Sequence, residues 1–186
     1  MSGIITDNIG RSSGLVKAAG GGGAILQVKS LEVTASGSES GTTPSQLSQF
    51  DMSFAATKSD SKLLFQAHMS QGCSTDYITA GYFYDVTNGA IVGALADAAG
   101  SRQRVSWGGQ GKTAAGSMWE ITWGTWHEPG TTSSIDYTIY GNASGSGTMY
   151  INRTGSDSDS ATYLYSAREA STFTIFEYAA DTVTLT

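Results

Sequence analysis

"WEITWGTWHEPGTTSSIDYTI", residues 119–139, places two runs of period two on either side of one loop. In the first run Trp119, Ile121 and Trp123 alternate with Glu120 and Thr122. In the second, Ile135, Tyr137 and Ile139 alternate with Asp136 and Thr138. Successive side chains of a pleated strand point to opposite faces, so each run has one apolar and one polar face. A helix would need apolar positions recurring at i, i+3, i+4 and i+7, a pattern that strict alternation does not give. The intervening "HEPGTTSS" carries Pro129, which fixes φ and removes an amide donor, among turn-forming residues.

Working outward, the same alternation recurs along the chain. Leu26 and Val28 alternate, then Leu31 and Val33 do so with the phase slipped by one, which predicts a bulge near Ser30. "GSESGTTPSQ" at 37–46 reads as a polar loop. Phe50, Met52, Phe54 and Ala56 share a face, "TKSDSK" turns the chain, and Leu63, Phe65, Ala67 and Met69 share another. Tyr77 to Val86 is a longer strand, apolar or aromatic on both sides, as expected of a central strand or a subunit contact.

The Asn-Gly pair in "DVTNGAIVG" predicts a two-residue hairpin turn between Val86 and Ile91. "ALADAAG" is long enough for one helical turn, and Arg102 to Trp107 reads as a weak strand. Met149 and Ile151 continue the pattern after the turn "GNASGSG". "RTGSDSDSATY" is a long polar loop, and Thr172 to Tyr178 is the last strand. About nine strands with almost no helix predict an all-β, antiparallel β-sandwich, and loops of mixed length suit a jelly-roll better than an up-and-down meander. The domain spans 25–186, preceded by a leader and glycine-rich hinge at 1–24.

That leader, "GIITDNIGRSSGLVKAAGGGG", combines linker-like glycines with recurring aliphatic residues at Ile4, Ile5, Ile9, Leu15 and Val16. Asp7, Asn8 and Arg11 interrupt the run of roughly 7–15 apolar residues that a secretory signal needs. An extended segment of this kind can lie along a partner, filling pockets or adding a strand, while the glycines leave the domain free to orient.

Composition narrows the function. A net charge of −6, with ten basic residues scattered rather than clustered, excludes a surface built to track nucleic-acid phosphates. Membrane insertion is not expected, since no apolar run reaches the roughly 18–20 residues of a spanning helix. Cys73 is the single cysteine, so neither an internal disulfide nor a multi-cysteine zinc site can form; it reads as a small buried hydrophobe.

Catalytic groups are sparse. His68 lies on a strand and reads as an ordinary exposed or hydrogen-bonded histidine, while His127 adjoins Trp126 and Glu128 on the loop. No "G-x-S-x-G" elbow follows a strand and precedes a helix in the way a hydrolase requires. "GGQGKT" at 108–113 has the wrong glycine spacing for a phosphate loop. Asp157 and Asp159 in "DSDS" have the spacing of a calcium loop without its glycine and distal glutamate. "NAS" at Asn142 fits a glycosylation triplet that arises often by chance. No enzyme, cofactor or metal is therefore expected. Trp107, Trp126, His127, Tyr163 and Tyr165, in or beside loops, are candidate surface-binding residues, because flat rings stack on the apolar faces of sugars; core or interface packing is the alternative for the rings. Glu177 shares a face with Phe173 and Ile175, so a bulge turns it out or a partner neutralises it, and Arg153 is the expected partner.

The stretch from Trp119 to Ala180 resembles the terminal jelly-roll of tail-fibre and virion-surface proteins of bacteriophages, marine and cyanobacterial ones especially. The resemblance is carried by Pro129 with Thr131 to Ser134, Tyr137, Ile151 to Arg153 in "INR", and Ser171 to Glu177. The leader "GIITDNIGRSSGLVKAA" looks like a short N-terminal stretch of such proteins, and the two together cover about half of the chain. The resemblance implies a trimeric, TNF-like or jelly-roll subunit on the virion surface, made in the host cytoplasm and joined to capsid, portal or tail proteins by its leader. Host-surface glycans are an implied ligand. A free carbohydrate-binding lectin and a depolymerase are the rival readings.

Overall fold

A computed structural model describes residues 24–74, 78–110, 117–145, 147–157 and 168–185. The strands in chain order are β1 (Ile25–Val33), β2 (Gly37–Ser40), β3 (Ser45–Phe54), β4 (Lys62–Cys73), β5 (Ile78–Asp85) and β6 (Ala90–Val92), then β7 (Trp107–Gln110), β8 (Met118–His127), β9 (Ile135–Ala143), β10 (Thr148–Ile151) and β11 (Ser171–Tyr178). Every pairing among them is antiparallel.

The register reduces these segments to eight strand positions. The same edge of β4 pairs with β11 through Lys62 to His68 and with β10 through Gln71 to Cys73, so β10 and β11 are two parts of one strand interrupted at 152–170. Beyond them β1 pairs with β11 and β2 with β10, again one strand broken at 34–36. The far edge of β4 pairs with β8. The first sheet therefore runs β1/β2, β11/β10, β4, β8. In the second sheet β3 pairs with β9, β9 with β5, and the far edge of β5 with both β6 and β7. Followed along the chain, the path crosses between sheets at every step except the β5–β6 hairpin, which is the double Greek key of a jelly-roll.

Alternation then fixes the core. Leu63, Phe65, Ala67 and Met69 of β4 and Phe50, Met52, Phe54 and Ala56 of the β3 region are all buried, as their shared faces predict. Phe65 sits at the meeting of the sheets, its ring centroid 5.4 Å from Phe83, 4.9 Å from Tyr137, 5.9 Å from Phe173 and 5.8 Å from His127. Edge-to-face and offset pairs of this kind add to the burial of area. At one open edge Trp123 of β8 meets Trp107 of β7 at 5.0 Å. At the other, the Lys29 amine donates to the Ser53 carbonyl and the Gln27 amide to the Ala55 carbonyl, both at 2.7 Å.

Five local expectations are corrected. The phase slip in β1 is not a bulge at Ser30, because the register is unbroken from Gln27 to Val33; Leu31 and Val33 face the core while Val28 lies on the outer face, 51% exposed. Within "GSESGTTPSQ", Gly37–Ser40 is strand β2, held by its backbone against β10 and by a 2.8 Å bond between the Ser40 and Thr148 hydroxyls. The β5–β6 turn has four residues, because the Asp85 carboxylate accepts from the Asn88 amide and side chain and Gly89 takes up φ +68°. "ALADAAG" forms no helix, and the strand expected at Arg102 to Trp107 begins at Trp107.

Because Phe65 touches rings from β5, β8, β9 and β11, Phe65→Ala is expected to lower the unfolding free energy by about 3–5 kcal/mol. The urea midpoint measures this, and a loss under about 1 kcal/mol would show that the rings repack without it.

Candidate functional site

The inner faces are consumed by packing, so among the described residues it is their two outer faces that the sheets can offer a partner. On the first sheet the register aligns Val28, Phe176, Leu64 and Trp126, one from each strand position, into a single row crossing the face. Phe176, Leu64 and Trp126 are partly exposed, and Tyr178 meets Trp126 edge-on at 5.3 Å. Ile25, 47% exposed, begins β1 beside Tyr178. Two residues along, the aligned row is Ser30, Thr174, Gln66 and Gly124, and the next is Glu32, Thr172, His68 and Thr122. One end of this face is thus apolar and the other polar.

The second sheet presents an aromatic cluster. Tyr82 and Tyr84 lie on the same face of β5, and Tyr140 of β9 is directly opposite Tyr82. The Tyr84 and Tyr140 rings stack at 4.2 Å and 19°, and those of Tyr82 and Tyr140 at 6.0 Å and 28°. Burial, then the neighbouring phenols, raises the Tyr82 hydroxyl above its ordinary range; burial, Tyr84 and Asp51 do the same for Tyr140. Gln46 of β3 stands opposite Tyr140 and donates to both oxygens of Asp51, at 2.9 and 3.0 Å. Asp51, Ser53 and Asp136 line an open depression of about 290 Å³ there.

The residues expected at a surface site are not brought together. Trp107 is 4% exposed and packs in the core, which removes it as a surface platform; an indole on β7 faces inward because its strand pairs with β5 over the core. Trp126 is on the outer face, in the apolar row. His127 is one residue on and therefore on the opposite face, its ring edge-on to Phe65 and Tyr137. Burial lowers its pKa against the opposing pull of Asp85 and Glu128, so the imidazole is neutral in the interior. Its Nε2, the Tyr137 hydroxyl and both amide atoms of Gln71 have no hydrogen-bond partner among the described residues. Tyr163 and Tyr165, and the leader residues Ile4, Ile5, Asp7, Ile9, Arg11, Leu15 and Val16, lie outside the described residues.

The pair expected between Arg153 and Glu177 does not form. Arg153 follows β10 near the Ser70 end of β4, while Glu177 is opposite Leu63, about 20 Å away at roughly 3.3 Å per residue. Arg153 instead lies 3.5 Å from Asp157 and over the Tyr150 ring. Glu177 is fully buried and is neutralised by dipoles. Its Oε1 accepts from the Thr57 amide and hydroxyl at 2.7 Å each and from the Ser61 hydroxyl at 2.5 Å, and its Oε2 from the Gln27 amide at 2.7 Å. Burial pushes this carboxyl up, but the donors from Ser61, Thr57 and Gln27 outweigh it and hold the pKa below the usual range.

Metal and catalytic geometry is weak among the described residues. No group of three His, Cys, Asp or Glu converges on a point. Asp157 is engaged by Arg153 and by Arg168 at 2.8 Å, and Asp159 lies outside the described residues. His68 is hydrogen-bonded to the Thr122 hydroxyl at 3.0 Å on the outer face, and Cys73 is a free, buried thiol.

No family model matches the chain, and no curated protein matches it in sequence. Similar solved structures include three of infectious bursal disease virus. The Gt strain is 15% identical with a TM-score of 0.41, over 83% of this chain and 38% of that one. The Gx strain is 14% identical with a TM-score of 0.40, over 81% and 37%. The VP2 subviral particle of the same virus is 13% identical with a TM-score of 0.37, over 82% and 38%. The chain spans well under half the length of the structures it matches.

A carboxylate whose folded pKa is depressed contributes stability that is fully present above its unfolded pKa and is lost as pH falls through the folded value. Glu177→Gln puts an amide donor among donors and is expected to cost about 1–3 kcal/mol at neutral pH. The cost should shrink on acidification below the ordinary carboxylate range. Melting temperatures of both proteins across pH test it; a penalty independent of pH would assign Glu177 a packing role alone.

Proposed function

We propose that this chain is a non-enzymatic structural subunit of a virion, a short fibre or a decoration or tail protein. Its jelly-roll faces outward, and the leader through Val16 fastens it to other virion proteins. The subunits form a homotrimer, and an outward surface meets host glycans. The observation that carries the reading is the apolar row of Val28, Phe176, Leu64 and Trp126, set in register across all four strand positions of an outer face. A sheet face left to solvent shows polar residues there; an apolar row that runs from half-exposed Val28 to partly exposed Trp126 is covered when identical copies close around a symmetry axis. The resemblance of Trp119 to Ala180 and of the leader to phage fibre and virion-surface proteins supports the same assignment.

A free lectin with no virion role is the second reading, favoured by the tyrosine cluster on the other sheet, since such a cluster needs no particle to function. It predicts that the leader is dispensable.

Light scattering on the full-length protein is expected to give the mass of a trimer, and Val28→Ser combined with Trp126→Ser to shift it toward the monomer without unfolding, since both side chains lie on the outer face. A chain beginning at Ala24 should stay trimeric and fail to rebind particles stripped of this subunit. A monomeric full-length protein, or equal rebinding without the leader, would overturn the reading.

A further inference from the structure

The tyrosine cluster on the outer face of the second sheet has no structural task that the fold requires. Phe83 and Asp85, which alternate with Tyr82 and Tyr84 along β5, are buried; the tyrosines point the other way and stay partly exposed. Among the described residues no hydrogen bond engages the Tyr82, Tyr84 or Tyr140 hydroxyl, and Ile91, 37% exposed, extends the apolar patch that they border. Ile91 is opposite Tyr84 in the β5–β6 register. At the other side of Tyr140 lie Gln46 and Asp51, already oriented by their mutual hydrogen bonds, and beyond them the depression reaching Ser53 and Asp136. The Ser53 hydroxyl donates to Asp136 at 2.5 Å, which fixes that carboxylate as well.

We propose that this face binds a neutral pyranoside, its C–H face against the Tyr82, Tyr84 and Tyr140 cluster and its hydroxyls bonded by Gln46 and Asp51. The chemistry selects this ligand class in three ways. The three rings, stacked on one another, form an apolar surface, and covering it with the C–H face of a sugar removes both from water. Planar amide and carboxylate groups held in place accept and donate to vicinal hydroxyls with little ordering cost. Asp51 and Asp136, on a chain of net charge −6, repel uronates and other acidic sugars, so charge complementarity favours neutral ones. The proposal rests on the outward orientation assigned above and adds the surface and the ligand class, neither of which includes Trp107 or His127.

The test uses the full-length protein on an array of neutral and uronate-bearing oligosaccharides, with self-association and particle rebinding measured on the same samples. Binding to at least one neutral oligosaccharide and to no uronate is expected. Tyr140→Ala should weaken it by at least about tenfold, while Tyr140→Phe, which keeps the ring, should stay within about threefold. Should Tyr140→Ala lose its fold, Tyr82→Ala gives the same reading from the end of the cluster. Asp51→Asn should admit uronates. No binding to any neutral sugar, or binding indifferent to Tyr82→Ala and Tyr140→Ala, would overturn the proposal. A wild-type protein that trimerises and rebinds particles yet ignores sugars would sink this inference together with the glycan contact, and leave the anchored virion subunit standing; sugar binding by a protein that never rebinds particles would sink the virion reading alone.

Discussion

Every layer of this molecule depends on the contact of Phe65 with the rings that surround it. A jelly-roll has two sheets and one core, and its strands cross from sheet to sheet at nearly every connection, so the sheets cannot form independently and dock later. Phe65 on the first sheet reaches Phe83 and Tyr137 on the second, and Phe83 continues to Trp123 at 4.9 Å and through it to Trp107. The aromatic chain thus runs from the middle of the sandwich to its β7/β8 edge. With inner faces committed to this packing, strict alternation assigns the remaining side chains to the outer faces, and any apolar residue there is surplus to folding.

The second constraint is the charge of Glu177 in the interior. A carboxylate stripped of water is tolerated only where donors replace its hydration. Here the donors come from Thr57 and Ser61 in the β3–β4 connection and from Gln27 on β1, so one buried charge pins a crossing loop and an edge strand to β11. A salt bridge with Arg153 would have demanded a long side chain reaching along the sheet. Short hydroxyl and amide groups already in place satisfy the same charge without ordering one.

Much of the fold was legible because it is written in period two. The core faces of β3, β4, β8, β9 and β11 follow from alternation, which is local and strong. Segments whose pairing is carried by backbone alone were not legible: Gly37–Ser40 has no apolar residue, yet β10 supplies its partners. The four-residue turn at Val86 to Gly89 depends on the Asp85 side chain, a non-periodic signal. For the candidate site, the sequence indicated aromatic residues on both faces of the β5 region but not that Tyr140 would stack on them, because strand adjacency is a property of topology. Loop position, used to select Trp107 and His127, misled for the same reason: both face inward from strands.

On the proposed reading the two outer faces divide the work, the apolar row of the first meeting copies of the chain and the tyrosine cluster of the second remaining open to a ligand. An electron cryomicroscopy structure of the full-length assembly tests this division most directly. The account predicts that Val28, Phe176, Leu64 and Trp126 are buried between subunits while Tyr82, Tyr84 and Tyr140 face solvent. Tyrosines buried in the subunit contact, with the apolar row left open, would contradict it.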